Sequence, residues 1–318
     1  MLAILTGIAA GAASTAQASV NGRIREDYRS PYMTAVLSFI VAGFILAFII
    51  LFTEKDFSIP FGEIASYPFW IWLGGSCGTA IITLNVVCLP HLGSARNVMI
   101  ICFGQTMAGL LIDHLGLLGS AVVRMSAARA LGAAIVIIGA ALVNGIRTAG
   151  NSDPDGKQKG GSVILYILLA AANGFACAAQ VAINGRLNMI VGSATKATLI
   201  SMSVGLITTL LLICIISVMK GRTAIYDEGI RGTGLIRGFR PWMAAGGALS
   251  IIVVEGNAIT APMLGTGIVT ILNLIGMMGA GLLIDAVGFL GIEKKPATLS
   301  KIIGMILMIA GTAVISLM

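Results

Sequence analysis

The chain of 318 residues carries a net charge of +7, yet only 10% of its residues are charged and 57% are hydrophobic, with a mean hydropathy of +0.99. Soluble domains carry about 25% charged residues, so this chain lacks the polar surface of a soluble fold and belongs in a bilayer. Its apolar runs of about 20 residues suit helices across a ~30 Å hydrocarbon core, and no short alternating barrel strands are present in the pattern.

Met1–Ala18 is apolar and ends Ala16-Gln17-Ala18, which imitates a signal-peptide cleavage site, but it lacks a basic first region and is read as a membrane helix. The first half gives five spans, near 2–22, 32–52, 69–89, 94–113 and 123–146, with Pro31 and Pro68 at helix starts, where proline is tolerated. Residues 149–161, rich in Gly, Asp and Lys, have no apolar period and read as a linker between units at 1–148 and 162–318. Spans near 163–185, 195–219, 242–262, 265–287 and 299–317 follow, with a polar insertion at 221–240.

The two halves are one unit written twice. Gln17-Ala-Ser-Val-Asn-Gly-Arg23 returns as Gln180-Val-Ala-Ile-Asn-Gly-Arg186, an offset of 163. Beyond the insertion the offset is 172: Trp70, Gly74, Asn85, Pro90 and Asp113 return as Trp242, Gly246, Asn257, Pro262 and Asp285. A unit of five spans is odd, so its second copy enters the membrane upside down. The expected fold is an all-α membrane protein of ten transmembrane helices in two inverted-topology five-helix repeats.

The basic residues give the orientation. Fourteen of the 20 fall in loops 23–30, 147–161, 220–240 and 288–301, whereas Lys55, Arg124, Arg129, Arg186 and Lys196 fall on the opposite side and Arg96 lies near the inner end of the fourth span. By the positive-inside bias those four loops are cytoplasmic and both termini are outside. Basic residues placed this way are topology signals, so no nucleic-acid partner is expected. The five cysteines have no metal-ligand spacing, His91 and His114 stand alone, and no Gly-x4-Gly-Lys-Ser/Thr pattern occurs. Neither metal, other cofactor, nor nucleotide hydrolysis is expected, and no cluster of nucleophile and base suggests an enzyme.

Several polar residues inside the spans are candidates for binding a solute. Glu255 sits three residues past the midpoint of its span, where a charge costs about 2.5–3.5 kcal/mol, so it faces a cavity, finds a partner or stays protonated. Its counterpart is Thr83, so the acid is not part of the duplicated scaffold, and it is the candidate for trading a proton against a cation. Gln17 and Gln180 lie on opposite sides of the midplane if the repeats are inverted; they bind a polar solute or join helices. Asn85 and Asn257 precede Pro90 and Pro262 by five residues, near backbone irregularity, and have the same two readings, as does the unrepeated Gln105. Arg96 snorkels to the interface or partners an anion. Asn21 and Asn184 read as groups at helix ends, and Asp113 and Asp285 as scaffold caps. The dense glycines, such as Gly11, Gly132, Gly139, Gly276 and Gly311, predict close helix crossings.

Gln-x3-Asn (Gln17/Asn21, Gln180/Asn184), Ser30-Pro31 with Ser38-Phe39, Trp with Gly-Gly, Pro-x-Leu-Gly (Pro90–Gly93, Pro262–Gly265), Gly104-Gln105 and Ile-Asp-x-x-Gly occur in this order over nearly the whole chain. The set resembles the YdcZ-like branch of the drug/metabolite transporter superfamily. The second half departs from it, with Ser193-Ala194 for Ser30-Pro31 and Gly276-Met277 for Gly104-Gln105. The resemblance implies an inner-membrane exporter of a small-molecule solute. The residues add alternating access and ion coupling, with an accessory membrane protein or a passive facilitator as the alternatives.

Overall fold

The computed structural model describes residues 1–28, 30–92, 94–144, 160–220, 239–287 and 298–317. The expected linker 149–161 and insertion 221–240 lie almost wholly outside them. The described residues form eleven α-helices and no strand: α1 (Leu2–Tyr28), α2 (Pro31–Thr53), α3 (Phe61–Ser66), α4 (Gly74–Leu92), α5 (Ser94–Leu115), α6 (Ala127–Asn144), α7 (Gly160–Val191), α8 (Ala194–Lys220), α9 (Ala244–Leu264), α10 (Thr266–Val287) and α11 (Leu299–Leu317). Seven of them (α1, α2, α5, α7, α8, α9 and α10) are long and apolar enough to cross a membrane, and α6 and α11 carry shorter apolar stretches.

Where helices stop follows from local chemistry. Ser30 caps α2 by accepting from Met33 N, and Pro31 begins the helix, where its missing N–H is harmless. At the equivalent turn Gly192 takes a left-handed φ of 71° and Ser193 accepts from Lys196 N at 3.2 Å. The serine cap is therefore kept where the proline is not. Between Gln17 and Tyr28 no residue breaks the helix, so α1 runs past residue 22 to Tyr28, and α7 runs to Val191. Asn21 and Asn184 lie within these helices rather than at their ends. The polar connector after α2 is likewise partly helical, in the single turn and a half of α3.

Each half embraces helices of the other. α1 packs on α9 and α10, while its counterpart α7 packs on α4 and α5. α2 packs against its own counterpart α8, and α6 against its own counterpart α11. Glycines set the closest crossings: Gly104 on α5 meets the carbonyl of Ala171 on α7, and its counterpart Gly276 on α10 meets that of Ile8 on α1. A side chain at Gly276 would overlap the Ile8 carbonyl, so only glycine lets these backbones approach.

Candidate functional site

Two matching polar joints hold α4 and α9. Ser38 on α2 donates to Asn21 Oδ1 on α1 (3.3 Å) beside Gly246 on α9. Asn184 on α7 and Ser201 on α8 flank Gly74 on α4 in the same way, but there Asn184 Oδ1 is left without a partner. The neighbouring glutamines have parted ways. Gln180 donates to the Gly74 carbonyl (3.1 Å) over the space left by Gly78. In the other half Ser250 replaces Gly78, its hydroxyl bonded to Gly247 O, and Gln17 makes no hydrogen bond among the described residues. Gln180 is thus committed to joining helices while the Gln17 amide is unspent.

Deeper in, the carboxamides gather. Asn97 on α5 donates to Asn85 Oδ1 on α4 (3.0 Å), and Asn273 on α10 donates to Asn257 Oδ1 on α9 (2.8 Å). Asn97 and Asn273 are buried and keep an unpartnered Oδ1. Asn173 on α7 is fully buried with both polar atoms unpartnered. Along α7, Asn184 and Gln180 meet α4 at Gly74 and Gly78, and Ala170 meets it at Cys88 and Leu92. Asn173 therefore lies level with the Asn85 turn. The next residue, Gly174, lies against the backbone of Ile101 and Gln105, so this is the groove where α7 passes between α4 and α5. Gln105 is buried there and its amide makes no hydrogen bond among the described residues.

The expected irregularity at Pro262 is real and already answered. Proline cannot bond the carbonyl four residues earlier, and Asn188 on α7 donates to that carbonyl, Ala258 O, at 2.9 Å. Asn97, Asn173, Asn188 and Asn273 escaped the sequence reading. Their signal was asparagine inside an apolar run, the same one that picked out Asn85 and Asn257.

Glu255 is half-buried and accepts from Thr195 Oγ1 at 2.8 Å. Thr195 lies in the first turn of α8, so the acid sits level with a helix start although it is central in its own helix. The same turn carries Ser193, which donates to Glu54 Oε1 (2.6 Å), and Lys196, which reaches Glu54 Oε2 (3.4 Å), Asp56 Oδ2 (3.2 Å) and Ser58 O (3.1 Å). Lys196 is buried and partnered, where its sequence position marked it only as an outer basic residue. Hydrogen bonds from the Ser58 hydroxyl and N–H, with a further one from Lys196, hold the Asp56 carboxyl down at about 2. Arg186, on the same end, stacks over Tyr67 at 5.4 Å. The side chains of Arg96 and Asp285 lie outside the described residues.

Asp113 is a cap between halves: fully buried, it accepts from Thr266 N (2.8 Å) and Gly267 N (2.7 Å) at the start of α10. A carboxylate on free helix N–H groups is held by both hydrogen bonds and helix dipole. Among the described residues no group of His, Cys, Asp and Glu has the geometry to hold a metal ion.

The sequence model of the family DMT_YdcZ, described as "Putative inner membrane exporter, YdcZ", matches residues 2–142 and again 165–314. The chain belongs to this family. As a YdcZ-family member it is a multi-pass membrane protein of the drug/metabolite transporter type, in a family of inner-membrane exporters. A solved structure described only as "Crystal structure of protein" is similar in fold, with a TM-score of 0.66 and 16% identity, over 99% of this chain and 96% of that one. No curated protein matches the chain.

Proposed function

We propose that this YdcZ-family chain is a secondary exporter that moves a small polar or cationic solute by alternating access, with units 1–148 and 162–318 as inverted five-helix repeats. Inversion is supported by where equivalent turns lie. The turn between α1 and α2 is at the start of α2, while its counterpart, between α7 and α8, meets the far end of α2 through Ser193 and Glu54.

The observation that carries the solute reading is the unused hydrogen-bonding capacity of Asn173, which lies level with the Asn85 turn. A buried polar group without a partner costs about 1–3 kcal/mol, so a fold keeps such groups for something that binds. The unpartnered atoms are mostly acceptors, Oδ1 of Asn97, Asn173, Asn184 and Asn273, which favours a solute rich in N–H or O–H donors. Asn85, Asn97, Asn173 and Gln105 form the contact set on one side. Asn257, the repeat counterpart of Asn85, makes a second set with Asn273 and Gln17. Glu255 is the proton-trading group, bonded to the turn that begins α8.

The test is the protein in liposomes with an internal pH dye, challenged with cationic, neutral and anionic metabolites, beside Glu255→Gln and Asn173→Leu. A solute-dependent pH change that both substitutions abolish bears the reading out. Labelled solute that moves without a pH change removes proton coupling and leaves a facilitator. No movement across the panel turns the reading to an accessory membrane protein.

A further inference from the structure

The α2–α8 pair is made of a helix and its own repeat counterpart, running antiparallel, so its two ends are equivalent by descent. They are not equivalent in chemistry. At one end, just past α2 and in the first turn of α8, Lys196 is held between Glu54 and Asp56, and Ser193 donates to Glu54. Subtracting or adding the offset of 163 gives the matching positions at the other end: Met33 for Lys196 and Ser217 for Glu54. Neither can enter an ion pair. Met33 is buried among Val20, Ile24, Leu37 and Met243, and the Ser217 hydroxyl bonds to Ile213 O in its own helix.

We propose that Lys196 with Glu54 and Asp56 is a one-sided latch that holds the α8 start against the α2 end and keeps that mouth of the helix pair closed. The lysine side chain is only 10% exposed, so it is fixed rather than sampling solvent, and its three oxygen partners satisfy all three ammonium donors. The pair bridges the halves, since Glu54 and Asp56 belong to the first and Lys196 to the second. It also shares its helical turn with Thr195, the partner of Glu255, so whatever changes the bonding of Glu255 acts on the turn that the latch holds. By the charge distribution this is the outer end. Opening it breaks an ion pair, whereas the matching positions at the other end, Met33 and Ser217, carry no charge with which to form one.

Ser201 and Ser38 are repeat counterparts, buried behind the latched end and the opposite end respectively. Each is replaced by cysteine in the full-length protein in detergent, and labelling by a charged, water-soluble maleimide is timed at that peptide by mass spectrometry, so native cysteines do not interfere. In the parent protein Ser201→Cys labels more slowly than Ser38→Cys. Adding Lys196→Met, which installs the residue of the opposite end, accelerates Ser201→Cys roughly tenfold, the factor for about 1.4 kcal/mol of lost closure. Ser38→Cys stays unchanged, and Lys196→Arg keeps labelling slow. Met33→Lys with Ser217→Glu slows Ser38→Cys. An unchanged rate at Ser201→Cys after Lys196→Met overturns the proposal, as does an equal rise at both positions, which is general loosening. The readout is exposure alone, so its failure leaves the transport reading standing.

Discussion

Three helix pairs join a helix to its own duplicate, α2–α8, α5–α10 and α6–α11, and the first and last of them have had opposite histories. In α6–α11 the contacts are kept on both sides of the exchange: Gly132 meets Gly311 O, and Gly139 meets Gly304 O. In α2–α8 one end carries an ion pair, and the matching position at the other end, Met33, packs against α1 and Met243 instead. The α6–α11 pair has only to pack, and packing is satisfied equally by both copies. The α2–α8 pair carries the proposed latch, and there the copies diverged.

The comparison can be broken most forcefully at the glycines. Gly139→Leu and Gly311→Leu are equivalent by repeat, and each drives a side chain into a facing carbonyl at under 3 Å from its Cβ. Each is expected to destabilise by about 3 kcal/mol, to the same extent, in thermal unfolding of the detergent-solubilised protein; unequal losses would mean the pair is not symmetric. Lys196→Met comes next. It leaves Glu54 and Asp56 unpaired, but both are partly solvated, so the expected loss is about 1–2 kcal/mol, against a gain for no substitution of Met33 by lysine alone. The helix caps sharpen the contrast further. Ser30→Ala removes a cap worth about 1 kcal/mol; Ser193→Ala removes the same cap and the bond to Glu54, and its melting point falls further.

The smallest effect is one of pH. The Asp56 carboxyl is held at about 2 against an ordinary 3.8. A lowered folded value stabilises above the ordinary one and is lost as pH falls through the lowered one. The difference in melting point between the parent and Asp56→Asn is therefore constant above about pH 4 and closes between about pH 4 and pH 2. A difference undiminished at pH 2 would contradict it.

The repeat, the helical class and the glycine crossings are legible in the chain, because offsets of 163 and 172 and apolar runs survive in one dimension. Asp113 also reads as a cap from its place at a span end, and it caps, though the helix it serves lies in the other half. The site was harder. Lys196 and its acids are some 140 positions apart, so no local pattern joins them. Gln17 and Gln180 look alike in sequence, and the deciding difference, Gly78 against Ser250, lies on other helices. Asparagines inside apolar runs announce polarity but not whether it is used. Asn188 is spent on the carbonyl freed by Pro262, and Asn173 is not spent at all.

The exchange of partners between halves has a consequence for how the protein is made. α4 packs on α7 and α8, helices that follow it in the chain by up to 128 residues (220 less 92). At ~5–20 residues per second of synthesis, α4 is made on the order of ten seconds before the α7 and α8 residues that Gly74 and Gly75 meet are complete. The first unit is released from the ribosome unfinished, and the second completes it.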